Sequence, residues 1–106
     1  MQIRLLSPFA LFLLFIFSAL SNQAFAERSG SQVVNTFCVA CHISGVAGAP
    51  RLGNKEEWQP RLQKSLPELL SSVTNGLNAM PPKGLCSNCT DKELDSAIQF
   101  MIDKSQ

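Results

Sequence analysis

Histidine occurs once in this chain, tryptophan once and tyrosine not at all. A single imidazole excludes any centre built from two histidines and leaves general acid–base chemistry without a second residue of its commonest kind. Neither sign of charge is in excess, with nine Lys and Arg against eight Asp and Glu. No basic stripe is visible, so nucleic acid is not an expected partner. Internal repeats, low-complexity segments and stretches of alternating apolar and polar residues are missing too, and without alternation there is no case for strands. The one long apolar run, Phe9 to Leu20, falls well short of the ~20 residues that cross a bilayer as a helix.

That run follows Arg4 and precedes Ala24, Phe25 and Ala26, the small-x-small pattern of a signal peptidase site. The organisation read from it is a secretory signal peptide over residues 1–26 and one exported domain over 27–106. Setting Arg4 aside balances the charge of the exported part to zero. A domain this short leaves much of its surface wet, and normally needs disulfides, a metal or another covalent aid to be stable. All four cysteines lie in the exported part, as two pairs, "CVAC" and "CSNC". Export favours persistent disulfides, and four cysteines leave three pairings open.

Val33, Val34, Phe37 and Cys38 share one face of a short helix beginning near Ser29 or Ser31. "ISGVAGAPRLGN" reads as a loop because its glycines and proline suit neither helix nor strand. Asn54 is placed to cap a short helical segment through "KEEWQPRLQK", where Pro60 forbids a regular helix interior. Ser65 or Leu66 opens a helix with Pro67 early in it, running through "ELLSSVTN" to Gly76. "LNAMPPKGLCSNC" is a second loop. Thr90 with Glu93 forms a capping box ahead of Leu94, Ala97, Ile98, Met101 and Ile102 at helical spacing. The expected class is all-α.

"CVACH", Cys38 to His42, is the C-x-x-C-H pattern of c-type haem attachment. Thiols three residues apart on a helical turn reach both vinyl groups of one haem, and the next residue brings an imidazole to the iron. The haem also supplies the apolar body that a short chain lacks. Other readings of these residues are a zinc site, a thioredoxin-like dithiol and a plain Cys38–Cys41 disulfide. The first meets an unusually long spacing between Cys41 and Cys86, and the second lacks its βαβ setting. With His42 spent, a sixth ligand must be another residue type. Met101 belongs to the core stripe of the last helix, whereas Met80 sits in the proline-bounded "NAMPPKG" loop, which can hold a thioether toward the iron. Such a ligand favours Fe(II) and raises the potential, and two filled axial positions describe a carrier of single electrons. A haem enzyme would need an open iron face with an acid or base beside it, so no enzymatic activity is expected. The alternative is a ligand-binding haem sensor whose Met80 dissociates.

"CVACH", "GVAGAPRLGN", Trp58 with Arg61, "AMPPKG" and "CSNC" stand in the order of class I c-type cytochromes, and the chain resembles the bacterial cytochrome c5 group over nearly all of residues 29–104. The second C-x-x-C after the methionine loop is what resembles that group in particular. The resemblance implies about four short helices wrapped around one covalently attached haem c. It implies haem attachment at Cys38 and Cys41, His42 and Met80 as iron ligands, and the Pro50 carbonyl as partner of the other ring nitrogen of His42. It further implies Trp58 and Arg61 on the propionate side and a Cys86–Cys89 disulfide. The function implied is periplasmic electron transfer between redox proteins, including transient contact with membrane-bound oxidoreductases. The apolar ground at residues 46–50 and 79–82 is the expected docking surface.

Overall fold

The computed structural model describes residues 25–106; of the segment read as a signal peptide, only Phe25 and Ala26 fall among them. The chain enters through a rod in three consecutive pieces: α1 (Gly30–Val33), one π turn (Val34–Cys38) and α2 (Val39–His42). Ser29 starts it with a reciprocal cap, its hydroxyl accepting from the Gln32 N–H and its own N–H donating to the Gln32 side chain. Within the π turn the Val39 N–H reaches back five residues to the Val34 carbonyl. Val33 and Val34, on either side of the junction between α1 and the π turn, are both completely buried.

A loop with a tight turn at Val46–Gly48 leads to α3 (Lys55–Trp58). Asn54 caps α3, accepting from the Glu57 N–H at 3.2 Å. Pro60 ends the regular helix, and the chain continues as a single 3-10 turn, Arg61–Gln63, as a proline lacking its N–H requires. Next comes α4 (Leu66–Asn75), with Ser65 and Glu68 forming its capping box and Gly76 its end. The last element, α5 (Asp91–Lys104), the longest among the described residues, opens on the Thr90–Glu93 capping box. Leu94, Ala97, Ile98, Met101 and Ile102 form its buried face. No strand occurs among the described residues; the only pairing outside helices is an isolated bridge between Leu77 and Met80.

The rod crosses α5 at a point where only glycine fits. A Cβ on Gly30 would lie 2.1 Å from the Ser96 carbonyl oxygen. On the other side of α5 the half-buried Leu66, Leu69, Leu70 and Val73 of α4 pack onto the same core. Ser105, just past α5, is buried and its hydroxyl accepts from the Gly53 N–H at 2.9 Å, tying the C-terminus to the loop before α3. The architecture is all-α, as the sequence leads one to expect, with the start of the rod and α4 both packed on α5.

Candidate functional site

Cys38 ends the π turn, Cys41 and His42 lie in α2, and all three side chains line one cleft. Both thiols are unpaired and half-buried. Burial, followed by the neighbouring Cys41, pushes the Cys38 thiol above its ordinary value, so it stays protonated at neutral pH.

His42 is 8 % exposed. Its Nδ1 lies 2.7 Å from the Pro50 carbonyl oxygen. A carbonyl only accepts, so Nδ1 carries the proton and Nε2 keeps the free lone pair. The same loop returns a second bond, the Leu52 N–H donating to the His42 carbonyl at 2.7 Å. Trp58 stacks beside the imidazole with centroids 6.3 Å apart and planes at 28°.

The loop itself is braced. The Trp58 indole N–H donates to the Arg51 carbonyl at 3.0 Å, and Arg51 grips Glu57 through its backbone N–H at 2.7 Å and its Nε at 2.8 Å. That guanidinium holds the Glu57 carboxyl below the usual carboxylate range. Arg61 donates to the carbonyls of Glu57 and Gly48. Of the two residues expected on the propionate side, Arg61 reaches the cleft rim. Trp58 is 5 % exposed and stands behind His42, with its single N–H already used.

Met80 comes to the same cleft from a different loop. Gly76 turns the chain out of α4 at φ +83°, and a Cβ there would lie 2.8 Å from the Met80 carbonyl oxygen. Leu77 and Met80 then exchange two backbone hydrogen bonds of 3.0 Å around Asn78 and Ala79, so the methionine sits at the base of a two-residue turn. Its methyl end lies near Gly84, where a Cβ would be 3.6 Å away. The cleft, about 190 Å³, is closed behind by Phe37 and by Leu94, Ala97, Ile98 and Met101 of α5. Met101 is 4 % exposed and part of the core.

Cys86 and Cys89 are buried and face each other sulfur to sulfur, with Cα atoms 5.3 Å apart. Above them lies a contact that the sequence does not announce. Arg28 clamps Glu93 through Nε at 2.9 Å and Nη2 at 2.7 Å, and its backbone N–H adds a third bond at 3.0 Å. The Arg28 guanidinium draws the Glu93 carboxyl down to about 2, and also covers the Phe37 ring at 5.2 Å. Glu93 is recognisable as a capping residue, but nothing local marks Arg28 as its partner 65 residues away.

The cleft therefore gathers two free thiols, an oriented imidazole and a thioether on an apolar wall. The chain is similar to several known proteins. The sequence profile of the family described as "Cytochrome C oxidase, cbb3-type, subunit III" matches residues 25–101. Cytochrome c5 of Azotobacter vinelandii is 47 % identical over 76 residues, covering 70 % of this chain and 92 % of the relative. Cytochrome c5 of Ectopseudomonas mendocina is 45 % identical over 76 residues, 70 % of this chain and 87 % of the relative. Among solved structures, a mono-heme ferrocytochrome c from Shewanella putrefaciens matches at TM-score 0.65 and 44 % identity, covering 76 % of this chain and 99 % of the other. A chain of an electron transfer complex of nitrite reductase with cytochrome c matches at TM-score 0.69 and 39 % identity, covering 73 % and 94 %.

Proposed function

Because the chain belongs to the c5 group of class I c-type cytochromes, whose members carry one covalently bound haem c, we propose that it is an exported, periplasmic one-electron carrier. In this reading Cys38 and Cys41 attach the haem, and His42 from α2 and Met80 from its loop would hold its iron. The observation that carries it is the convergence of both free thiols, His42 and Met80 on one apolar cleft.

When bound, the haem supplies a one-electron couple. The protein's part is to hold ligands still and keep water away. The Pro50 carbonyl fixes the tautomer and plane of His42 through Nδ1, which leaves Nε2 as the donor and raises its basicity. Trp58 and the Arg51–Glu57 pair keep Pro50 in place. Met80 offers a soft thioether that favours the reduced metal and a high potential. A frame that moves little on gain or loss of an electron suits transfer rather than catalysis. Among the described residues lining the cleft none is a carboxylate, and in this reading the one imidazole is committed to the iron.

Cys86 and Cys89 form a disulfide that holds the turn between the Met80 loop and α5. Val46 and Leu77, exposed beside the cleft mouth, give redox proteins an apolar area to meet briefly, as small transient interfaces do. An Ala49→Asp variant is expected to transfer electrons to its partner more slowly at an unchanged potential. An unchanged rate removes that surface.

The visible spectrum of the oxidised exported protein tests the ligand set. A weak far-red band from iron bound to thioether sulfur is expected, and Met80→Ala is expected to abolish it and lower the potential. A Met80→Ala protein with the band intact overturns the assignment. Rapid binding of carbon monoxide by the reduced wild type would instead mark a sensor.

A further inference from the structure

We propose that Lys83 is a positioning residue for Met80, its ammonium group fastening the Met80 loop to the Cys86–Cys89 turn and so setting how often Met80 leaves the cleft. This deepens, and rests on, the reading of Met80 as the distal ligand. The backbone of Lys83 has φ +59°, in the left-handed region where an L side chain is disfavoured and glycine or asparagine is the usual choice. Gly84 follows at φ +60°. The turn thus demands two left-handed residues in succession and fills only the second with glycine.

What the lysine gives in return is visible in its contacts. Its Nζ donates to the Cys89 carbonyl at 3.0 Å. Its backbone N–H donates to the Val73 carbonyl in α4 at 2.7 Å, and its carbonyl accepts from the Cys86 N–H at 3.1 Å. One residue thereby joins the last turns of α4, the cysteine turn and the segment leaving Met80. Its half-buried stem lines the cleft beside the methionine. Only Pro81 and Pro82 separate the two, and their fixed φ angles make the link between Lys83 and Met80 short and stiff. The backbone bonds of Lys83 would survive a shorter side chain in the same conformation; the bond to Cys89 would not.

An added ligand such as imidazole takes the distal position only while Met80 is withdrawn, so its apparent affinity scales with the fraction of open molecules. The test compares wild-type holoprotein with Lys83→Met, which keeps the stem, Lys83→Asn, which suits the backbone but is too short, and Lys83→Arg, which keeps a donor. Imidazole is expected to bind Lys83→Met and Lys83→Asn on the order of tenfold more tightly, the effect of losing one charge-assisted hydrogen bond. Lys83→Arg should stay near wild type. Amide exchange at Leu77 and Met80 should accelerate in the first two variants while Ile98 and Met101 in α5 keep their protection. If Lys83→Met matches wild type in both measurements, or if Lys83→Asn holds Met80 more tightly because its backbone is relaxed, the proposal is wrong. A wild-type protein without the far-red band would instead overturn the ligand reading, and the amide measurement, which needs no iron contact, still decides the role of Lys83.

Discussion

Gly76 and Glu93 show how single residues set the site without touching it. Gly76 combines φ +83° with ψ 156°, a region open essentially to glycine alone. A side chain would also press against the Met80 carbonyl oxygen and, at 3.0 Å, the Pro82 nitrogen. Both obstacles are backbone, so nothing flexible can move aside. Gly76→Ala is expected to lose about 2–3 kcal/mol in denaturant unfolding and to weaken the far-red band, because the strain falls on the methionine turn. Glu93 works through charge. Its folded-state value of about 2 lies below its ordinary 4.5, so its contribution to stability is complete above roughly pH 4.5 and is lost as the pH falls toward 2. Glu57 and Glu68 are lowered as well, and they add to the slope in the same direction. Thermal unfolding followed from pH 6 to pH 2 should show the midpoint falling only below about pH 4.5. In Arg28→Ala the midpoint should be lower at pH 6 and fall less on acidification, since Glu93 no longer titrates so far from its unfolded value. Equal acid slopes in the two proteins would remove Arg28 as the cause.

Elements were legible in the sequence wherever their causes are local. The Thr90–Glu93 box, the Ser65 start with Pro67 in the first turn and the Gly76 stop each involve residues within one turn of one another, and α4 and α5 begin and end on them. Thr90→Ala should accordingly cost about 1 kcal/mol, read as a shift in denaturant midpoint without a change in slope. The π turn at Val34–Cys38 was not legible. It is a change of hydrogen-bond partner by one residue, and no residue type announces it. The closeness of α1 to α5 was equally silent, because a glycine in the first turn of a helix has no local meaning; its reason is the Ser96 carbonyl of another element. Gly30→Ala should therefore push the rod off α5, costing about 3 kcal/mol, and should disturb His42 at the far end of the same rod. At the site the motif residues were legible as chemistry. Trp58 was named by the resemblance, on the propionate side, but its bond to the Arg51 carbonyl behind the imidazole and that of Lys83 to the Cys89 carbonyl behind the methionine loop were not legible, since a sequence does not display backbone carbonyls.

At the scale of the whole fold, the longest helix among the described residues, α5, serves two purposes. Leu94, Ala97, Ile98 and Met101 of α5 belong to the core and also form the rear wall of the cleft. These four side chains are 2–4 % exposed, so the apolar surface that the cleft leaves wet lies on its loop side, at Val46, Leu77 and Leu85. Large apolar side chains held in water there cost a short chain roughly 25 cal/mol for each Å² left wet. The haem proposed for the cleft is then a structural element as much as a redox one, and it outranks the cysteine pair. A loop as short as Cys86–Cys89 constrains the unfolded chain by only about 2 kcal/mol, whereas an empty cleft leaves the exposed apolar side chains of both functional loops without a partner. The two can be ranked directly. A Cys38→Ala, Cys41→Ala chain that never acquires haem should show little helical far-ultraviolet signal and no cooperative thermal transition. A Cys86→Ser, Cys89→Ser chain with haem attached should unfold cooperatively at a lower midpoint. If the haem-free chain instead melts in one sharp step, the polypeptide closes its own core, and the dependence of the fold on its cofactor must be abandoned even if the electron-transfer assignment survives.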